Sequence, residues 1–112
     1  MNYHQLGGVA EAGGDFESAE QWYLRALAYY QETVNECETA IICRQLGNVA
    51  REREDLEGAQ KWYEKSLANE GDEQGAALSC YQLGEVAHER GDSEGALTWF
   101  ERAKAIYEKL GN

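Results

Sequence analysis

The residues of this chain that could hold a metal or carry out nucleophilic catalysis are three cysteines and two histidines. Zinc ligands usually come in C-x2-C or H-x3-H spacing, and a catalytic cysteine needs a histidine within hydrogen-bond reach. No two of these residues have that spacing; they are Cys37, Cys43, Cys80, His4 and His88. The sequence therefore predicts no metal site, no cofactor and no catalytic pair.

Two glycine pairs, Gly7-Gly8 and Gly13-Gly14, could be taken for part of a phosphate-binding loop. Such a loop needs Gly-Lys-Ser/Thr after the glycines and a strand before them, and the sequence offers neither. Helix packing and turns explain these glycines better. We expect that the chain is not an enzyme.

Charge and composition restrict the partners. The formal net charge is -11, whereas nucleic acids and anionic membrane surfaces are bound by basic side chains, so neither is an expected partner.

At 43% hydrophobic and 28% charged residues the chain is globular. It contains no apolar run near the ~18 residues of a membrane helix. We expect one cytoplasmic domain over residues 1–112.

One sequence pattern recurs three times and indicates where most of these cysteines, histidines and glycines lie. Each copy has Leu-Gly-x2-Ala behind an aromatic residue or cysteine, and later Ala-x3-Tyr/Phe. The copies are Tyr3-x2-Leu6-Gly7-x2-Ala10 with Ala19-x3-Tyr23, Cys43-x2-Leu46-Gly47-x2-Ala50 with Ala59-x3-Tyr63, and Cys80-x2-Leu83-Gly84-x2-Ala87 with Ala96-x3-Phe100. A pattern that recurs at this interval indicates a repeat protein.

Spacing within a copy predicts a pair of helices. The first half repeats its apolar or small residues at i, i+3, i+4 and i+7, and the second half at i, i+4, i+7 and i+11, which are helix faces. Gly47 and Ala59 permit close helix approach, and Tyr63 fills the space beside them. Each copy is therefore a helix hairpin.

The core candidates include two of the cysteines and the tryptophans. Cys43 and Cys80 hold equivalent places on neighbouring hairpins, whose axes lie roughly 8–10 Å apart, beyond the ~7 Å Cα limit for a disulfide. We interpret both as small core residues. Trp22, Trp62 and Trp99 adjoin the buried aromatic residues, so we expect them to pack between repeats.

Glycine followed by aspartate separates the predicted helices, because glycine ends a helix in the left-handed conformation and aspartate caps the next one. The pairs are Gly14-Asp15, Gly71-Asp72 and Gly91-Asp92. At Glu54-Asp55 the glycine is missing, and we expect a strained turn there.

The interval between copies varies at the joints. Trp22 to Trp62 is 40 positions and Trp62 to Trp99 is 37. The difference is about one helical turn, which we assign to residues 31–34 at the end of the second helix, with Asn35 capping the next. The predicted repeats are 1–34, 36–70 and 73–111. Because Tyr3 follows the start with no capping segment ahead of it, we expect a fragment of a longer array.

The pattern resembles the tetratricopeptide repeat, W-x2-L-G-x2-Y…A-x3-F…P with a period of about 34 residues. It departs from that pattern in lacking proline and in its longer period, and these features are similar to the branch seen in kinesin light chains and bacterial regulatory proteins. The resemblance implies an all-α solenoid of six antiparallel helices in a right-handed superhelix. It also implies that the first helices line a concave groove for a peptide or helix.

Carried over residue by residue, the resemblance places the groove on one edge of the first helices. Its expected lining is His4, Gly8, Glu11 and Ala12; Ile41, Arg44, Asn48, Arg51 and Glu52; and Leu78, Tyr81, Glu85, His88 and Glu89. The carboxylate clamp of co-chaperone members is not matched, so a chaperone tail is not the expected ligand. The residues at its positions are His4, Gly8, Gln45, Leu78 and Gln82.

The predicted function is protein-protein recognition, in which the groove binds a peptide or helix of a partner. In this interpretation the ligand carries an acidic or amide group near Arg44 and basic residues near Glu85 and Glu89. The far end of the groove offers apolar contacts at Tyr81, Ile41 and Leu78. The alternative is structural: copies of the chain associate end to end as a homo-oligomer through the C-terminal helix. Its apolar residues are Leu97, Phe100, Ala103, Tyr107 and Leu110.

Overall fold

Six α-helices make up the computed structural model, which describes residues 2–33 and 35–111. In chain order they are α1 Tyr3–Ala12, α2 Phe16–Glu32, α3 Glu36–Glu52, α4 Leu56–Ala68, α5 Glu73–Glu89 and α6 Ser93–Lys109. Each helix packs mainly on its neighbours in sequence, so that α1/α2, α3/α4 and α5/α6 form three hairpins that stack in a row. The stack measures 37 × 29 × 21 Å.

Asparagine or aspartate caps every helix by accepting a hydrogen bond from the backbone N–H three residues on. The caps are Asn2, Asp15, Asn35, Asp55, Asp72 and Asp92. The backbone N–H of Asn2 in turn donates to Gln5 Oε1, which completes a capping box. The chain therefore does have a helix cap ahead of Tyr3.

The turns inside the hairpins need one residue in the left-handed conformation. Gly14 and Gly91 supply it with φ values of 81° and 83°, and Glu54 adopts it without being glycine, at 63°. The strained turn predicted at Glu54 is confirmed. Gly71 was expected to end a helix in the same way, and this expectation is wrong: α4 already ends at Ala68, before an irregular joint.

The joints between hairpins differ in length, as the spacing of the tryptophans predicted. Helix α2 has 17 residues and α4 has 13, so the second helix of the first hairpin is longer by about one turn. It continues to Glu32, and Val34, the last residue of the predicted extra turn, lies outside the described residues. Asn35 caps α3 as expected.

The core lies between the two helix layers. Tyr23 and Tyr63 are fully buried, and so are the unpaired thiols of Cys43 and Cys80, which confirms their interpretation as core residues. Burial raises the pKa of Cys43 to about 11, which keeps this thiol protonated at neutral pH. Trp62 packs against both core clusters and so joins two hairpins.

The other tryptophans are placed differently. Trp99 packs on the cluster formed by the second and third hairpins, whereas Trp22 stacks on Tyr3 of its own hairpin, with ring centroids 5.8 Å apart. This contact of Trp22 lies within one hairpin, so packing between repeats stays a prediction for Trp22. A cation lies over the ring of each tryptophan; the pairs are Arg25 on Trp22, Lys65 on Trp62 and Arg102 on Trp99.

Candidate functional site

The residues predicted for the groove lie on α1, α3 and α5, the first helices of the three hairpins. In each of the first two hairpins, a tyrosine of the second helix packs beneath the first helix, and its hydroxyl reaches the same surface. Tyr23 Oη donates to Glu11 Oε1 at 2.8 Å, and the Tyr63 hydroxyl donates to Asn48 Oδ1. Burial is the main cause that raises the pKa of Tyr63 to about 12, so this hydroxyl remains a donor at neutral pH. The tyrosines thus fix two polar groups of the groove.

The third hairpin lacks this hydroxyl, because Phe100 takes the place of Tyr23 and Tyr63. The ring of Tyr81 packs against Phe100 instead, with centroids 5.5 Å apart and the planes tilted by 50°. Tyr81 and Leu78 are both exposed. This end of the groove is therefore more apolar than the other two.

Arg51 joins the second and third hairpins across the groove. Its Nε donates to Glu89 Oε1 at 2.8 Å, and its Nη1 lies 3.3 Å from Glu85 Oε1. Burial opposes the charge of Arg51, but the two carboxylates outweigh it and raise the pKa of the guanidinium. Beside it Gln82 Nε2 donates to Asn48 Oδ1 at 3.3 Å. Arg51, Glu85 and Glu89 therefore largely satisfy one another within the chain.

Arg44 is also engaged, which the sequence did not indicate. Its Nη1 lies 2.9 Å from Glu70 Oε2, and the two side chains are only 17% and 7% exposed. Burial raises the pKa of Glu70, while the charge of Arg44 acts in the opposite direction. The expectation that Arg44 offers a free cation to a ligand is wrong, because Glu70 in the α4–α5 joint already neutralises it.

An open depression of about 620 Å³ lies over the junction of the first and second hairpins and extends to Glu89 of the third. It is lined by Glu11, Asn48, Arg51, Glu52, Glu54 and Glu89. Five of these residues were predicted for the groove, and the structure adds Glu54 from the strained turn. Four carboxylates surround a single guanidinium here, and that guanidinium is paired with Glu89. The depression is therefore strongly acidic.

The remaining predicted groove residues lie outside this depression. Ile41 is half-buried on α3, and His88 is exposed on α5. His4 is half-buried at the start of α1, where its ring lies 6.1 Å from that of Tyr23. These residues share the first-helix surface, but the structure does not gather them into one cluster.

The outer faces of the first and last hairpins differ from their internal counterparts. Val9 is 62% exposed, whereas Val49 and Val86, at the same place in the later repeats, are fully buried. Leu97 on α6 is 58% exposed, and Leu110, which was expected on this helix but follows its end at Lys109, is 40% exposed. Of the other residues expected on this surface, Ala103 is buried in the hairpin, and Phe100 and Tyr107 are half-buried.

Within residues 2–33 and 35–111, histidine, cysteine and acidic side chains do not form a cluster of three that could hold a metal. In the same part of the chain, none of the helices is both long and apolar enough to cross a membrane.

Three stacked hairpins with an open first-helix surface define a helical-repeat scaffold. The family model of the tetratricopeptide repeat matches residues 1–69 and, in a second overlapping match, residues 38–109. The chain therefore belongs to the tetratricopeptide repeat family. Domains of this family generally mediate protein-protein interaction, and the fold is typically a scaffold without catalytic activity.

Solved structures show the same fold. BtubC (BKLC) from P. vanneervenii superposes with a TM-score of 0.90 at 27% identity over 98% of this chain. MamA gives 0.83 at 23% identity over 97%, and the TPR domain of Arabidopsis FLU gives 0.85 at 19% identity over 96%. The chain spans 47%, 58% and 92% of these three structures, respectively. A search of curated proteins finds no match.

Proposed function

We propose that this chain is a non-catalytic interaction module whose groove binds a basic segment of a partner protein. A lysine or arginine of the partner would enter the depression between the first two hairpins and lie among Glu11, Glu52 and Glu54. The observation that carries the proposal is the imbalance of charge at this junction. Glu52 and Glu54 are exposed and, among the described residues, form no ion pair.

The junction between the second and third hairpins shows what kind of side chain is missing between the first and second. Glu11 and Arg51 hold the same place in their repeats, four residues after Gly7 and Gly47. Between the second and third hairpins Arg51 reaches Glu85 and Glu89. Between the first and second hairpins the corresponding residue is acidic. A partner's cation in this depression would make the kind of contacts that Arg51 makes within the chain.

The carboxylates can accept such a cation without giving up their present bonds. Glu11 Oε1 accepts from Tyr23, and an ionised carboxylate has about four acceptor sites. The hydrogen bond from the buried Tyr23 also holds Glu11 in place before binding, which reduces the loss of side-chain entropy. The net charge of -11 attracts a basic segment from a distance.

The proposal changes the ligand predicted from the sequence. An acidic or amide group beside Arg44 is no longer expected, because Glu70 neutralises that cation. Basic residues beside Glu85 and Glu89 would have to displace Arg51. Apolar contacts at Tyr81 and Leu78 remain part of the proposal. We expect affinity on the order of micromolar, since three repeats offer few anchors. The location we propose is the cytoplasm, which the free thiols of Cys43 and Cys80 fit.

A selection from a random peptide library tests this function. We expect the bound peptides to be enriched in lysine and arginine and to be eluted by salt. Selection on the variant Glu11→Gln/Glu52→Gln should lose this enrichment. The matched control is Glu101→Gln/Glu108→Gln, which makes the same change of charge at exposed positions of α6 and should keep the enrichment. Enrichment of acidic peptides, or equal enrichment on all three proteins, would refute the proposal.

The second candidate function is self-association. The exposure of Val9, whose counterparts Val49 and Val86 are covered by the preceding hairpin, favours it. We propose that the α6 surface around Leu97 of one copy can pack on the Val9 surface of another, in the way that α2 packs on α3.

A further inference from the structure

A second cavity, apart from the acidic depression, lies where the start of α1 meets the end of α2. It has a volume of about 430 Å³ and is lined by Asn2, Tyr3, His4, Ala26, Tyr29 and Tyr30. Tyr29 and Tyr30 meet edge to face, with ring centroids 5.4 Å apart. The same two rings border an adjoining hollow that also contains Glu36. We call the two hollows together the tyrosine cleft.

The second hairpin shows what fills the corresponding place. His4 and Arg44 each lie three residues before the Leu-Gly glycine of their repeat, and Tyr30 and Glu70 each lie fifteen residues after the capping aspartate. In the second hairpin Arg44 and Glu70 form the ion pair described above. In the first hairpin a histidine and a tyrosine replace them, and a cavity remains.

We propose that the tyrosine cleft binds an arginine side chain of a partner protein. A guanidinium is flat and weakly hydrated, and it stacks on aromatic faces better than an ammonium does. The chain itself makes this kind of contact twice, with Arg25 5.0 Å from the ring centroid of Trp22 in the first hairpin and Arg102 4.8 Å from that of Trp99 in the third. Arg44 shows in the second hairpin that a guanidinium fits between the two helices.

Charge decides between an arginine and a neutral apolar anchor. Among the described residues that line the tyrosine cleft, Glu36 is acidic and there is no lysine or arginine. The whole chain carries a net charge of -11. A neutral ring would gain from burial and from contact with the tyrosine rings, whereas a guanidinium gains from the ring faces and also from the charge of Glu36. This inference does not depend on the acidic depression, which shares no lining residue with the tyrosine cleft.

Titration of three short peptides tests the inference. Acetyl-Gly-Arg-Gly-amide is compared with the same peptide carrying citrulline, the neutral analogue of arginine, and with one carrying phenylalanine. NMR signals of the tyrosine rings report binding. We expect the arginine peptide to bind in the millimolar range with shifts at Tyr3, Tyr29 and Tyr30, and the other two peptides to bind at least about fivefold more weakly.

Substitutions at Tyr29 provide the matched variants, since this side chain is 58% exposed and its replacement should not unfold the protein. Tyr29→Phe keeps the ring face and should keep binding, whereas Tyr29→Leu keeps an apolar side chain and should weaken binding at least about fivefold. Leu24→Ala, at another exposed position of α2, should bind as the parent does. Equal binding of the citrulline or phenylalanine peptide would overturn the inference. So would shifts that Glu52→Gln removes and Tyr29→Leu leaves, because they would place the arginine in the groove.

Discussion

The ring of Tyr63 lies across Gly47 so closely that a Cβ on this glycine would stand 2.6 Å from Tyr63 Cε1. Gly7 has the same relation to Tyr23, and Gly84 has it to Phe100. The glycine of Leu-Gly and the aromatic ring of Ala-x3-Tyr/Phe, two parts of the repeat pattern, thus contact each other. In the first two hairpins this contact also carries the tyrosine hydroxyl to the groove.

Gly47→Ala should lower the free energy of unfolding by about 2 kcal/mol. Overpacking costs up to about 3 kcal/mol against a fully buried ring, and the better helix propensity of alanine returns about 1 kcal/mol. Chemical denaturation measures the change. Gly71→Ala is the control, because this glycine is exposed and no atom lies within 4 Å of the added Cβ. An equal effect of both variants would show that the Tyr63 contact does not require glycine.

Glu54→Gly should stabilise the chain by roughly 1 kcal/mol, because Glu54 holds a left-handed conformation that costs a residue with a Cβ about that much. Thermal unfolding checks it. The reciprocal variant Gly91→Glu, at the equivalent turn of the third hairpin with φ of 83°, should destabilise by a similar amount. A lower melting temperature for Glu54→Gly would contradict the strain that the φ of 63° indicates.

Much of this architecture follows from residue spacing. Helix periodicity, the capping aspartates and the missing glycine at Glu54 are local signals, so the hairpins and the strained turn could be predicted. The Arg44–Glu70 pair could not, since its partners are 26 residues apart and Glu70 lies in an irregular joint. The depression could be predicted only in part, because helix faces do not reveal that the turn residue Glu54 borders it.

Arg44→Ala should destabilise the protein by about 2–3 kcal/mol at pH 8, since it leaves the buried carboxylate of Glu70 without its cation. The sequence alone suggested no such loss. Burial already raises the pKa of Glu70, and the variant removes the charge that opposes this rise. The folded variant should therefore bind a proton more readily than the unfolded chain, and the loss should shrink as the pH falls towards 5.

Denaturant unfolding at several pH values measures this effect. Arg44→Ala/Glu70→Gln serves as the control, because it has no buried carboxylate and its stability relative to the parent should vary less with pH. A loss for Arg44→Ala that is the same at pH 5 and pH 8 would show that Glu70 is not the cause.

Self-association should depend on the Val9 surface and on Leu97. Sedimentation equilibrium should show reversible association with a dissociation constant below about 1 mM. Val9→Asp and Leu97→Asp should each abolish it, because a charge would be buried in the contact. Glu101→Gln, also on α6, is the control and should not weaken it. A monomer throughout the millimolar range would remove this second candidate function.

The most direct test of the groove function is the affinity of one selected basic peptide for three proteins, measured by calorimetry. Relative to the parent, Glu11→Gln/Glu52→Gln should bind about tenfold more weakly, since two carboxylates that would face the cation are neutralised. Glu101→Gln/Glu108→Gln should bind within about twofold of the parent, because attraction by net charge alone is weak at physiological salt. Equal losses in the two double variants would contradict the account, because binding would then follow overall charge and not the depression between the first two hairpins.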